Sequence, residues 1–188
     1  NEFNQQIEFS KVNWIGSTSD SIPALINPTL ISKNEVAYLS NNDIVIGINI
    51  DNKEIAFPIK IIKWHGVINQ KINNKIYSII YCPVSNSITA FNSNIGNLSF
   101  SSLFMENSCL MKNNQGILID TETGIYGDRK ALKRLPIMQA TWTFWKTYYP
   151  NSKVLSKNTG IIIDYDEAMP QWAKLINPGN LVQDITRY

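Results

Sequence analysis

The chain is poor in the residues that most often carry chemistry: among 188 residues there is one histidine and there are two cysteines. A single histidine without a closely spaced cysteine pair excludes the usual Cys/His zinc sites. Two cysteines are too few for a disulfide framework, although Cys82 and Cys109 could form one bridge in an oxidising compartment. No apolar run approaches the roughly 20 residues of a membrane-spanning helix. Gly-rich phosphate loops, a nucleophile elbow and a persuasive Ser-His-Asp order are all missing. Charge of one sign is scarce too: the net charge is +2, and Lys and Arg are scattered rather than striped with aromatics, which argues against nucleic acid. Lys130, Lys133 and Arg134 form the densest basic group and read as a solvated face.

What is present is a chain of 44% hydrophobic and 17% charged residues, enough to bury a sizeable core. The expected fold is α+β: a mainly antiparallel β-sheet with a few short helices, in a single compact domain. Residues 1–21 read as an irregular N-terminal arm, pinned by Phe3, Phe9 and Trp14, and residues 22–160 as the domain. Residues 161–188 read as a C-terminal tail packed on it. The chain starts at Asn1 without a Met or a basic-plus-apolar leader, which fits either a mature form whose export signal is gone or a shortened chain.

Within the domain, Ile22–Pro28 reads as an extended loop because its prolines interrupt helix and central strand alike. Ser32 and Glu35 have capping-box spacing for a short helix to Tyr38. Alternating apolar residues over Ile44–Ile50, then Asp51-Asn52-Lys53, then Glu54–Phe57 predict a β-hairpin. Pro58 opens a short helix that carries Trp64 and His65 and ends near Gly66. Ile76–Tyr81 predicts a buried strand with Ser87–Phe91 returning beside it, so Cys82–Asn86 is the loop at a strand end. Further strands are expected at Leu98–Phe104, Cys109–Lys112 and Ile117–Ile119. The spacing of Trp142, Trp145 and Tyr149 predicts a helix over Gln139–Tyr149 with Thr141 as cap, and Lys153–Leu155 an edge strand.

Four blocks in a fixed order carry a family resemblance. They are Ile22-Pro23-Ala24-Leu25-Ile26-Asn27-Pro28, Ala56-Phe57-Pro58 through Trp64-His65, Tyr81-Cys82-Pro83-Val84, and Thr141-Trp142-Thr143-Phe144-Trp145 with Tyr149 to Ser156. In these the chain resembles the DUF3179 family, an uncharacterised group of bacterial and archaeal exported proteins. The resemblance implies an extracytoplasmic domain, periplasmic or at the cell surface and often lipid-anchored. It also implies that the histidine after tryptophan and the cysteine before proline are hallmark positions. Some members carry a second cysteine or selenocysteine three positions after the first. This chain departs from that pattern: Gly66 replaces a glutamate, Asn69-Gln70 an Asn-Asp pair, and Asn86-Ser87 a Gly-Thr pair. An aromatic-Ser-Gln block is not recognisable in Gln115–Thr123. Ser85 stands at the second-thiol position, so a two-thiol exchange centre within this loop is absent.

The expected site is therefore His65 with Cys82: a thiolate beside an imidazole, serving as nucleophile with Ser85 as an accessory group, or as ligands for a soft ion such as copper together with Met111. The bland reading is a core histidine and a buried cysteine. Asp120, Glu122 and Asp128 near Gly124 and Gly127 do not fit an EF-hand loop and read as a solvated turn. Two functions follow. One is an exported cell-envelope protein with a soft-metal or thiol-redox site. The other is a non-catalytic structural or partner-binding protein on the same scaffold, with Trp14, Trp172 and the chain ends supplying contacts.

Overall fold

A computed structural model describes residues 12–14, 22–128 and 130–167. In chain order the strands begin with β1 (Val12–Trp14), β2 (Leu25–Ile26), β3 (Leu30–Ser32), β4 (Ile44–Ile50) and β5 (Lys53–Pro58). Helix α1 (Ile59–His65) leads into β6 (Val67–Ile72), β7 (Lys75–Cys82) and β8 (Ser87–Asn92). Next come β9 (Leu98–Met105), β10 (Ser108–Asn113), β11 (Leu118–Asp120), β12 (Ile125–Tyr126), β13 (Lys130–Ala131) and β14 (Lys133–Arg134). The last elements are β15 (Met138–Thr141), α2 (Trp142–Tyr148) and β16 (Lys153–Leu155).

These strands form three mainly antiparallel sheets where one was expected. The first runs β1-β9-β10-β11-β12-β13, the second β14-β8-β7-β6-β2, and the third β15-β4-β5-β16-β3. The second sheet is the middle layer, because alternate residues of its strands enter different cores. Ile68, Tyr77, Ile79 and Tyr81 face the third sheet and meet Ile46, Ile48, Ile55 and Phe57. Val67, Ile80, Cys82 and Phe91 face the first sheet and meet Leu98, Phe100, Cys109 and Met111. On the outer face of the third sheet, Val45, Ala56 and Val154 are covered by Trp142 and Trp145 of α2.

Local chemistry explains the connections. Asp51-Asn52 and Asn73-Asn74 all have positive φ, the twist that a two-residue hairpin turn requires and that Asn and Asp tolerate. Helix α1 starts after Pro58 and stops at Gly66, whose φ of 63° lets its N–H return to Ile62 O. The Ser32–Glu35 capping box forms, but around a single 3-10 turn, Lys33–Glu35, rather than a helix reaching Tyr38.

Other expectations need correction. Met138–Thr141 is a strand paired with β4, so α2 begins only at Trp142, with Thr141 as its N-cap. Lys153–Leu155 is interior, parallel to β5 and antiparallel to β3. The Ile22–Pro28 stretch contains β2, which pairs in parallel with β6. The arm is not wholly irregular, since β1 pairs with β9. Phe3, Phe9, Trp172 and the tail beyond residue 167 lie outside the described residues.

One polar side chain joins the middle and first sheets. Asn69, 1% exposed, donates to Leu25 O at 3.3 Å and Leu98 O at 2.9 Å. Its Oδ1 accepts from Ser78 Oγ at 2.8 Å and from Leu98 N at 2.9 Å. All four hydrogen-bonding capacities of the amide are filled, which makes its burial tolerable.

Candidate functional site

The chemistry of this chain converges where the middle sheet meets the first. Strand β7 ends at Cys82 because Pro83 has no N–H to continue the ladder. The four-residue turn Pro83–Asn86 returns the chain so that Ser87 pairs with Cys82. Across the interface, Cys109, the second residue of β10, lies opposite Phe104. The two sulfurs are 2.8 Å apart and both side chains are buried, at 1% and 0% exposure.

Their surroundings differ. Cys82 Sγ accepts the Cys109 N–H at 3.1 Å, and the N–H and hydroxyl of Ser85 reach it as well. The Cys109 thiol and then these Ser85 and backbone donors outweigh burial and pull the Cys82 pKa down to about 6. Cys109 moves the other way. Burial dominates, the neighbouring Cys82 sulfur adds to it, and Glu122 contributes further negative charge, against one relieving N–H from Val84. These surroundings therefore favour the charged form at Cys82 and the neutral form at Cys109.

A polar rim links this buried pair to solvent. Ser85 Oγ lies 3.0 Å from Glu122 Oε1 and 2.8 Å from Ser87 Oγ, and Ser87 Oγ donates to the same carboxylate oxygen. Ser85 is exposed and Glu122 half-buried. The turn that carries Glu122 is fixed by Asp120, whose Oδ1 accepts from Glu122 N at 3.1 Å and from Thr123 N and Oγ1, both at 2.7 Å. Asp120 is thus spent on its own turn. Arg134 Nη1 donates to Glu122 O at 3.0 Å.

His65 is engaged elsewhere. Its Nδ1 is 2.8 Å from Pro23 O, which can only accept, so Nδ1 carries the proton. Its Nε2 then accepts from the Tyr165 hydroxyl at 2.6 Å, and Tyr165 in turn accepts from Thr159 Oγ1 at 2.7 Å. Among the described residues neither imidazole nitrogen bonds to the Cys82 sulfur. The two residues do share one end of the middle sheet, where Tyr81 N donates to Gly66 O at 2.7 Å. Tyr165, however, belongs to the core facing the third sheet, while Cys82 belongs to the one facing the first.

Burial of His65 lowers its pKa, only partly offset by the Pro23 carbonyl. Because the folded value lies below the unfolded one, the unfolded chain takes up this proton first. The contribution to stability is complete above about pH 6.5 and falls as the pH drops below that value. The wild-type melting temperature is expected to decrease from about pH 7.5 to 5.5 more steeply than that of His65→Asn, measured by circular dichroism. Parallel curves would show that this imidazole titrates as if unfolded.

The residues expected to hold a copper ion do not form a donor set. Met111 is fully buried in the core that contains both sulfurs, but the imidazole nitrogens are committed to Pro23 and Tyr165. Among the described residues no group of three or more His, Cys, Asp or Glu side chains is placed to hold a metal. What the arrangement can do is make and break a bond between Cys82 and Cys109, a pairing set by the packing of two sheets. Tyr165 escaped the sequence reading, and Glu122 was read only as part of a solvated turn, because long-range contacts alone connect them to the motifs.

A family model described as "Protein of unknown function (DUF3179)" matches residues 19–173. No curated protein and no solved structure matches the chain.

Proposed function

The chain belongs to the DUF3179 family, and for this member we propose a thiol–disulfide redox function in the cell envelope, on a single compact domain, with Cys82 as nucleophile and Cys109 as resolving thiol. The observation that carries this reading is the contact of two sulfurs in opposite electrostatic settings. The Cys82 thiolate attacks a disulfide in a partner, R–S–S–R′, giving a Cys82–S–S–R mixed disulfide and releasing R′S⁻, which takes a proton. Cys109 then loses its proton and attacks Cys82 Sγ, and RS⁻ leaves. The partner gains two electrons and the chain keeps a Cys82–Cys109 disulfide. The extracytoplasmic setting rests on the family resemblance, and it is a compartment in which such a disulfide persists. Burial of both sulfurs means that exchange needs the Pro83–Asn86 turn to move aside.

That same burial favours a second reading, a static cross-link in a non-catalytic envelope scaffold. Equilibration of the protein against thiol–disulfide buffers, followed by alkylation and mass spectrometry, separates the two. An exchange protein gives a reduction potential between roughly −270 and −120 mV. A value below about −300 mV would leave only the static cross-link.

A further inference from the structure

We propose that a hollow between the ends of the second and third sheets binds a small amphiphilic anion, an acyl chain that carries a carboxylate or phosphate. The hollow measures about 500 Å³ and shares no lining residue with the sulfur pair, so the inference stands apart from the redox reading. It lies beside the β4–β5 and β6–β7 turns, which are tied together where Asn73 Nδ2 donates to Asp51 Oδ2 at 2.9 Å. Its floor is Leu30, Ile55 and Ile72, which belong to or pack against the core between these two sheets. That volume and that floor suit a small organic molecule.

The rim selects the charge. Lys53, Lys71 and Lys153 line the hollow from three strands, β5, β6 and β16. Two of them occupy positions where strand alternation otherwise places core. Lys53 shares its face of β5 with Ile55 and Phe57, and Lys153, in register with Ile55, shares its face of β16 with Leu155. Among the described residues none of the three lysines forms an ion pair, and Lys53 Nζ reaches only the neutral Asn73 Oδ1, at 3.5 Å. The one carboxylate in the lining, Glu54, accepts from Asn49 Nδ2 at 3.3 Å. Three positive charges thus face one negative charge around an apolar floor. A chain with an anionic end satisfies both the floor and the rim.

Sodium decanoate, titrated into the whole protein below its micellar concentration and followed by calorimetry and amide NMR shifts, tests the site. Saturable binding of one decanoate per chain is expected, with the shifts concentrated at Lys53, Ile55, Ile72 and Lys153. Octanoate should bind about fivefold or more weakly, because two methylenes fewer are buried. The double variant Lys53→Gln/Lys153→Gln should weaken decanoate binding about tenfold with an unchanged melting temperature, since both side chains are exposed. No saturable binding, or equal affinity in the double variant, would overturn the proposal and leave the lysines as solvated strand ends. Phosphatidylglycerol vesicles are the second arm: a protein that binds these but takes up no decanoate uses its lysines on a membrane surface, and the hollow then has no ligand of this class.

Discussion

Cys109→Ser, reduced and then mixed with hydroxyethyl disulfide near neutral pH, is expected to accumulate one covalent adduct per chain, on Cys82. The serine hydroxyl replaces the thiol as a donor to the Cys82 sulfur, so the thiolate is retained, but it cannot resolve the mixed disulfide. The wild-type protein should instead pass through the adduct and end two hydrogens lighter, with Cys82 joined to Cys109. Cys82→Ser should be slower than Cys109→Ser by about 100-fold or more, because the remaining thiol is held protonated by burial. Intact-protein mass spectrometry over time distinguishes the three products. Equal adduct rates in the two variants would show that the sulfurs are not differentiated, and the division of labour between them would fall.

Gly47→Ala is expected to destabilise the fold by about 3 kcal/mol or more, lowering the melting temperature by roughly 6–12 °C. Gly47 lies in β4 beneath α2, and a Cβ there would sit 1.8 Å from Trp145 Cζ3 and 2.2 Å from Cη2. The indole has little room to give. Its Nε1–H donates to Ser152 Oγ at 3.0 Å, its ring stacks on Tyr149 at 4.1 Å between centroids, and the residue is 2% exposed. Relieving the clash means lifting α2 from the third sheet or losing both contacts. Thermal and denaturant unfolding should agree on the loss, and Trp145→Leu in the Gly47→Ala background should recover part of it. A melting temperature within a degree or two of wild type would mean that the α2–sheet packing tolerates an added methyl group.

The parts of this architecture that were legible in the sequence are those set by neighbours along the chain. The β4–β5 hairpin follows from alternation around Asp51-Asn52, α1 from Pro58 and Gly66, and the β7–β8 pair from β-branched residues broken at Pro83. Where the reading failed, a long-range partner had decided the outcome. The Trp142, Trp145 and Tyr149 spacing draws Gln139–Thr141 into the following helix, yet pairing with β4 makes Met138–Thr141 extended. Lys153–Leu155 is too short to declare itself interior until β3 and β5 flank it. The site divides in the same way. Cys82 and Ser85 stand close in the Tyr81–Asn86 stretch, and Ser85 touches Cys82. Cys109 reaches them only because the first sheet packs on the second, and a possible bridge between the cysteines was the sole sequence signal of that contact. His65 was singled out for its chemistry, but Tyr165, 100 residues further on, takes its free nitrogen.

Asn69 has a further consequence, for how the chain finds this arrangement. A one-residue slip of β6 against β7 would turn the amide to the opposite face, away from Leu98, and strand it among isoleucines with nothing to bond. In the observed pairing every bonding capacity of the Asn69 amide is filled. A buried, fully bonded carboxamide thus works as a key during folding, rejecting near-miss alignments that purely hydrophobic packing would accept.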